Sequence, residues 1–366
     1  MTISVNDFEN YFQLDIDNDF HYRYHLFVNE NHYQNRQGEY IMFKHHKFAF
    51  LATVVFALLL VLAGCGGAKK EEAEPKKDEP KTEESTSYTV EHAMGTTQIK
   101  GTPKRVVILT NEGTEALLAL GVKPVGAVKS WTGNPWYDHI KDKMDGVKEL
   151  GTESEPSLEA IAALKPDLII GNKLRHEQIY EQLKAIAPTV FAETLKGDWK
   201  ENFMLYAKAV NKEEKGKEVL AEYDKRVEDL KAKLGDKLNM KVSIVRFMAG
   251  DVRIYHKDSF SGVILDQLGF ARPESQNVND FAEKGVTKER IPAMDGDILF
   301  YFTYEEGDGE ATKLEKEWIN DPLFKNLNVA KQGKVYKVDD AIWNTAGGVL
   351  AAHLMLDDIE KYFLEK

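Results

Sequence analysis

A single cysteine governs what this 366-residue chain can become. Cys65 closes the string Leu62-Ala63-Gly64-Cys65, at the exit of an apolar run from Phe48 to Ala63. Lys44, His45, His46 and Lys47 stand just before that run. A basic start, a short apolar stretch and small residues at its exit make a secretory signal. The run falls short of the roughly 20 residues that a bilayer crossing needs. An exported chain with one cysteine has no internal disulfide, so its core is held by burial alone. What remains beyond Cys65 is long enough for one or two such cores.

The same four residues resemble a bacterial lipobox, in which the cysteine is lipidated and becomes the mature N-terminus. That implies a protein anchored by lipid on the outer face of the cytoplasmic membrane, in the Gram-positive manner. Residues 1–41 are rich in Asn, Tyr and Phe and precede Met42, which would itself begin a normal signal peptide. Translation is expected to start at Met42, leaving 1–41 unmade and 42–64 as the signal. From Ala68 to Ser87 there is no large apolar residue. Such a stretch buries too little surface to offset its chain entropy, so 65–87 is expected to be a lipidated, disordered tether. The net charge of −12 argues against nucleic acid. It says little about a small ligand, because a basic pocket can sit in an acidic protein.

Beyond the tether, Tyr88 to Leu109 alternates like a hairpin leading into a buried strand at 106–109. Helical signals follow at 114–120, then a strand at 125–128, a helix at 158–164, a strand at 167–170, a helix at 178–185 and a strand at 189–191. Short strands alternating with helices predict an α/β fold on a parallel sheet. Helices are expected at 198–210 and 212–234, with Asn211 as the N-cap of the second and Glu214 as its capping-box partner. Leu220, Tyr223, Val227, Leu230 and Leu234 step by three and four, which makes one apolar stripe. The alternation then resumes: strand 242–247, helices 262–268 and 288–294, strand 298–302, helix 315–319, strand 335–338 and helix 350–363. The expected units are therefore 88–210, a linking helix at 211–236, and 237–366.

An internal echo supports two related halves. Residues 157–170 read SLEAIAALKPDLII, and residues 286–300 read VTKERIPAMDGDILF. Aligned, Glu159 matches Glu289, Ile161 matches Ile291 and Asp167 matches Asp297. Each is a short helix, a turn and a buried strand.

From about residue 104 onward, the runs PKRVVIL, GTEALLALGVKPVGAV, SLEAIAALKPDLIIGNK and APTV resemble the iron-siderophore and vitamin B12 branch of the periplasmic binding proteins. Within that branch, GNKLRHEQIYEQLKAIAPTV looks most like citrate-hydroxamate siderophore binders of Gram-positive bacteria. The resemblance implies two Rossmann-like α/β lobes joined by one long rigid helix, with the ligand in the cleft between them. It implies capture of a ferric siderophore of the hydroxamate or citrate-hydroxamate type, and its delivery to the permease subunits of an ABC importer. It also implies that Glu159 and Glu289, one on each lobe, reach basic pockets of that permease.

A ferric siderophore brings iron already saturated by oxygen donors, so the receptor needs no metal ligands and no cofactor. It needs cations for the chelate oxygens and flat faces for the rest, and arginine's planar fork suits the first task. Arg175, with Lys173 and His176, follows the strand at 167–170. Arg246 lies inside the strand VSIVRF, where a charge is costly without a cleft or partner. Arg253 and Tyr255 recur in DVRIY. Trp131, Trp136, Trp199, Tyr301, Tyr304 and Trp343 fall in or beside loops after strands, where aromatic faces stack on ligands. Asn111 and Glu112 follow the first strand and are expected near the cleft floor.

Catalysis finds no foothold, since no GxSxG elbow, P-loop or HExxH is present. His92, His139, His176, His256 and His353 are too scattered in sequence for a zinc or manganese receptor. Haem or cobalamin binding is the alternative within the same family, and a surface adhesin is the alternative of a different class.

Overall fold

The computed structural model describes residues 87–365 apart from Lys196. The start at Met42, the signal at 42–64, Cys65 and the tether up to residue 86 lie outside the described residues.

The described chain opens with β1 (Ser87–His92) and β2 (Gly95–Lys100), an antiparallel hairpin. Then come β3 (Val106–Ile108), α1 (Asn111–Ala119), β4 (Gly126–Ala127), β5 (Lys148–Glu149), α2 (Leu158–Ala163), β6 (Leu168–Asn172), α3 (Lys173–His176), α4 (Tyr180–Ile186), β7 (Thr189–Ala192) and α5 (Trp199–Ala209). Their sheet has the order β5-β4-β3-β6-β7, with every pair parallel. The chain winds outward from β3 to β5 and then returns to β6 on the other side. That reversal makes a crevice beyond the carboxyl ends of β3 and β6, the usual ligand position in such sheets.

The long helix α6 (Glu213–Leu234) follows. Its stripe of Tyr223, Val227, Leu230 and Leu234 is buried, as the spacing predicts. Its start differs from the sequence reading. Asn211 does not cap α6; it adopts the left-handed conformation at φ 56°. Lys212 N then donates to Ala207 O at 2.7 Å, closing the end of α5. The Asn211 amide donates instead to Thr102 Oγ1 at 2.9 Å.

The second half comprises β8 (Val242–Met248), β9 (Asp251–Tyr255), α7 (Phe260–Leu268), β10 (Ala282–Glu283), β11 (Ile298–Thr303), α8 (Glu310–Ile319), α9 (Pro322–Lys325), α10 (Asn328–Lys331), β12 (Val335–Lys337) and α11 (Val349–Glu360). Its sheet has the order β10-β9-β8-β11-β12. Strands β8, β11 and β12 are parallel, whereas β9 runs antiparallel to β8 and β10. The second half is therefore no simple repeat of the first. A hairpin opens it, and its second strand is DVRIY, whose Val252 and Ile254 are buried. The helix expected at 288–294 is a 3-10 turn, because Pro292 lacks the N–H that an α-helix would use there.

The echo is structural as well as sequential. Asp167 accepts the backbone N–H groups of Lys104 at 2.8 Å and Arg105 at 2.9 Å, while its own N–H donates to Arg105 O at 3.1 Å. Asp297 accepts Lys241 N at 2.7 Å and donates back to Lys241 O at 2.9 Å. Each aspartate thus clamps the start of β6 or β11 to the central strand beside it.

Alternate residues of each buried strand enter different cores. Val107, Ile169 and Leu183 pack in an outer cluster of the first lobe, and Val245, Phe247 and Leu299 in an outer cluster of the second. Val106, Ile108, the α6 stripe, Phe300, Phe302 and Met355 share one cluster that runs through both lobes.

Candidate ligand cleft

The crevice lies where the carboxyl ends of both sheets face each other. A cavity of about 200 Å³ is lined there by Lys129, Ser130, Trp131, Thr152, Glu153, Tyr304 and Glu306. The first three follow β4, the next two follow β5, and Tyr304 and Glu306 follow β11. Its volume is below the roughly 300–1,000 Å³ of drug-sized ligand pockets, so a larger solute must part the walls or protrude. A wider hollow of about 540 Å³ lies along Glu305, Gly307, Gly309, Thr312, Lys313 and Lys316. It is open, and the Glu305 carboxylate is already used by Thr312 Oγ1 and N and by the amides of Gly307 and Gly309. Those bonds, the Thr312 hydroxyl foremost, hold Glu305 ionised down to a pKa of about 2. The carboxylate of that hollow is therefore already satisfied within its own loop.

On the first wall, Arg175 sits on α3 with 41% of its side chain exposed. Its guanidinium lies 5.9 Å from the Trp131 ring centroid, within cation–π range. Its Nε is 3.5 Å from Glu153 Oε1. Glu153 is buried, and its Oε2 accepts Asn111 N at 2.9 Å and Asn111 Nδ2 at 3.0 Å. Burial pushes the Glu153 carboxyl up, and the Asn111 donors and Arg175 pull it back. Lys173 pairs with Glu193 at 2.7 Å.

On the second wall, Tyr304 stands over the Arg246 guanidinium, 4.9 Å from centroid to Cζ. Arg246 is 7% exposed. It donates to Asp340 at 2.7 and 3.1 Å and to the Tyr255 hydroxyl at 3.3 Å. Burial alone would lower its pKa, but Asp340 and Tyr255 outweigh that and keep it charged. Arg253 is the register partner of Arg246 on β9, and Asp251 neutralises it at 2.7 Å. Like charges facing across a strand pair repel, so each arginine needs its own aspartate. Burial and Glu306 push the Tyr304 phenol up to about 12, so it is a proton donor rather than a phenolate ligand for iron.

Several residues that the sequence placed at the cleft do not reach it. His176 is fully buried. Asn172 N donates to its Nδ1 at 3.1 Å, which puts the proton on Nε2, facing Glu153 O at 2.8 Å. Burial lowers its pKa, so it is a neutral strut beneath Arg175. Trp199 and Trp343 are core residues; Trp343 lies 4.6 Å from Phe300, ring to ring. Trp136 is also buried. Tyr255 is buried beneath Arg246, and Tyr301 packs with the outer cluster beside Glu315. Asn111 and Glu112 are buried behind the cleft wall rather than lining it. In each case an aromatic or polar residue near a strand end faced inward, and a pattern of elements does not tell the two faces of such a residue apart.

Lys129, Ser130, Thr152, Glu153 and Glu306 were missed. The available signal was position alone, since all follow strand ends. Among the described residues no group of three or more His, Cys, Asp and Glu is placed to hold a metal ion.

Two α/β lobes around a long helix, with a cleft walled by cation-backed aromatics, define a solute-binding protein. The periplasmic binding protein family matches residues 106–342, and the chain belongs to that family. It is 56% identical over 326 residues to "Probable siderophore-binding lipoprotein YfiY" of Bacillus subtilis, covering 87% of this chain and 97% of that one. It is 33% identical over 324 residues to the Fe(3+)-citrate-binding protein YfmC of the same organism, covering 88% and 98%. The crystal structure of Staphylococcus aureus SirA complexed with staphyloferrin B superposes with a TM-score of 0.70 at 38% identity, covering 75% of this chain and 98% of that one.

Proposed function

We propose that this protein captures a ferric siderophore of the hydroxamate or citrate-hydroxamate type and hands it to an ABC permease for iron uptake. The observation that carries the reading is the pair of guanidinium–aromatic contacts on facing walls, Arg175 with Trp131 and Arg246 with Tyr304. Such pairs offer positive potential behind flat apolar faces. That suits an oxygen-rich, often anionic chelate whose iron is already coordinated. Lys129 adds a third cation at the cavity rim. The likeness to YfiY, YfmC and SirA supports the same solute class. Cys65 tethers the receptor by lipid to the outer face of the membrane, and Glu159 and Glu289 engage the permease.

Tryptophan fluorescence, titrated separately with ferric citrate-hydroxamate, ferric catecholate, haem and cobalamin, tests the ligand class. Quenching by the citrate-hydroxamate chelate at micromolar levels or below is expected, with weaker response to the others. No response to any ferric siderophore would sink the reading. Mass spectrometry of the membrane-extracted chain used in that titration should find a lipidated Cys65 as its first residue, and an unmodified Cys65 removes the anchor from the proposal.

A further inference from the structure

We infer that Glu306 is a specificity-determining residue, whose carboxylate receives an amide N–H from an arm of the chelate and disfavours chelates that present oxygen alone. Its role rests on the ligand reading above and narrows it to chelates that carry N–H donors. Beyond Thr303, the last residue of β11, Tyr304 N donates to Phe247 O at 2.9 Å and carries the strand one step further. Side chains of an extended chain alternate. Tyr304 and Glu306 line the cavity between the lobes, while Glu305 between them lines the outer hollow.

Glu305 holds that arrangement in place. Its Oε1 accepts Gly307 N at 3.1 Å and Gly309 N at 3.0 Å. Its Oε2 accepts Thr312 N at 3.0 Å and Thr312 Oγ1 at 2.7 Å. Thr312 lies in the first turn of α8, whose N-cap residue is Gly309 and has no side chain to offer. The Glu305 carboxylate thus caps α8 from outside the helix and fixes the turn. That keeps Glu306 on the cavity side of the chain.

The two adjacent glutamates therefore differ in kind. Glu306 is exposed on the second wall, and Lys129 is exposed on the first. Among the described residues neither has an ion-pair partner. Deeper in the walls the carboxylates are matched, Glu153 by Arg175 at 3.5 Å and Asp340 by Arg246 at 2.7 Å. A solute that fills the cavity strips water from Glu306, and a carboxylate dried without donors is costly. The neighbouring Tyr304 phenol can meet only one of the roughly four acceptor positions of a carboxylate. Lys129 suits the anionic oxygens of a chelate, and a donor for Glu306 has to come from the solute itself. Secondary amides supply such N–H groups where hydroxamate arms are joined to citrate, whereas ferric citrate has none.

Glu306→Ala removes both acceptor and charge, and Glu306→Gln keeps an acceptor without the charge. The probes are a ferric citrate-hydroxamate with amide-linked arms and ferric citrate, titrated against the full chain. The wild type should prefer the amide-bearing chelate. In Glu306→Ala the dissociation constant for that chelate should rise about tenfold or more, the scale of a hydrogen bond to a charged group. The constant for ferric citrate should fall about two- to fivefold, the scale of an exposed charge interaction. Glu306→Gln should lose less with the first chelate and gain as much with the second. The opposite signs are what a merely structural role does not give, and a charge latch to Lys129 that closed the cleft would weaken both chelates alike. Equal losses, or no change with either chelate, overturn the assignment, as does a wild type that prefers ferric citrate. A wild type that binds neither chelate refutes the ligand reading and the assignment together, whereas binding with an unshifted preference refutes the assignment alone.

Discussion

Arg175 keeps 41% of its side chain exposed and leans on Glu153 at 3.5 Å, whereas Arg246 is buried and is held by Asp340 at two points. Their replacement should therefore separate binding from stability. Arg175→Ala removes a half-exposed cation, and exposed pairs contribute only about 0–1 kcal/mol to folding. It should weaken ferric citrate-hydroxamate binding by about 1.5–3 kcal/mol, the scale of hydrogen bonds to charged groups. Arg246→Ala leaves Asp340 buried without its cation, which costs about 3–5 kcal/mol of stability. Denaturant titration beside fluorescence titration checks both. Wild-type affinity in Arg175→Ala would move the site to another part of the cleft. Wild-type stability in Arg246→Ala would mean that Asp340 is not the uncompensated charge that its geometry implies.

The helix α6 lies against α5 at one close point, Gly216, where a Cβ would fall 2.7 Å from Ala207 Cβ and 3.2 Å from Met204 Sδ. Gly216→Ala would gain up to about 1 kcal/mol of helix propensity. Overpacking against a stiff Cβ costs about 1–3 kcal/mol, so the net effect should be a lower melting temperature by calorimetry. A higher one would show that α5 yields freely. The same helices mark what the sequence could and could not reveal. The stripe Tyr223, Val227, Leu230 and Leu234 was legible because periodicity records which face is buried. The strands β3, β6 and β11 were legible from their apolar runs, and β8 from Val242, Ile244, Val245 and Phe247 around its one charge. Asn211 was misread because asparagine favours both an N-cap and a left-handed C-terminal turn, and only the neighbouring Thr102 decides between them. Strand β9 was missed because its Asp251 and Arg253 look like loop charges until Arg246 and Asp251 pair with their partners. The cleft position was legible from strand ends. Its lining was not, because side-chain direction at a strand end depends on contacts across the two lobes.

Both lobes and α6 contribute to one continuous apolar cluster, so parting them widely would expose core residues such as Tyr223 and Phe300 to water. On the proposed reading, a body held together in this way presents itself to a permease with little change of shape. Glu159 and Glu289 suit that task. Each is exposed and occupies the second position of its helical turn, on α2 and on the turn Lys288–Met294. Hydrogen bonds from Thr287 and from its own backbone N–H lower the Glu289 pKa, so that carboxylate is charged at neutral pH. Negative charge in a first turn also favours the helix dipole, which by itself would account for the two residues. Their equivalent places in the echoed halves argue for more, since paired carboxylates on a pseudo-symmetric body match paired cations on a two-fold permease. Changing both to Ala should leave chelate affinity and melting temperature near wild type, while uptake of radiolabelled ferric siderophore by cells falls on the order of tenfold or more as both charge contacts are lost. Each single change should do less, because one contact remains. Normal uptake by the double variant would assign docking to other residues and leave the echo as a shared device for starting β6 and β11.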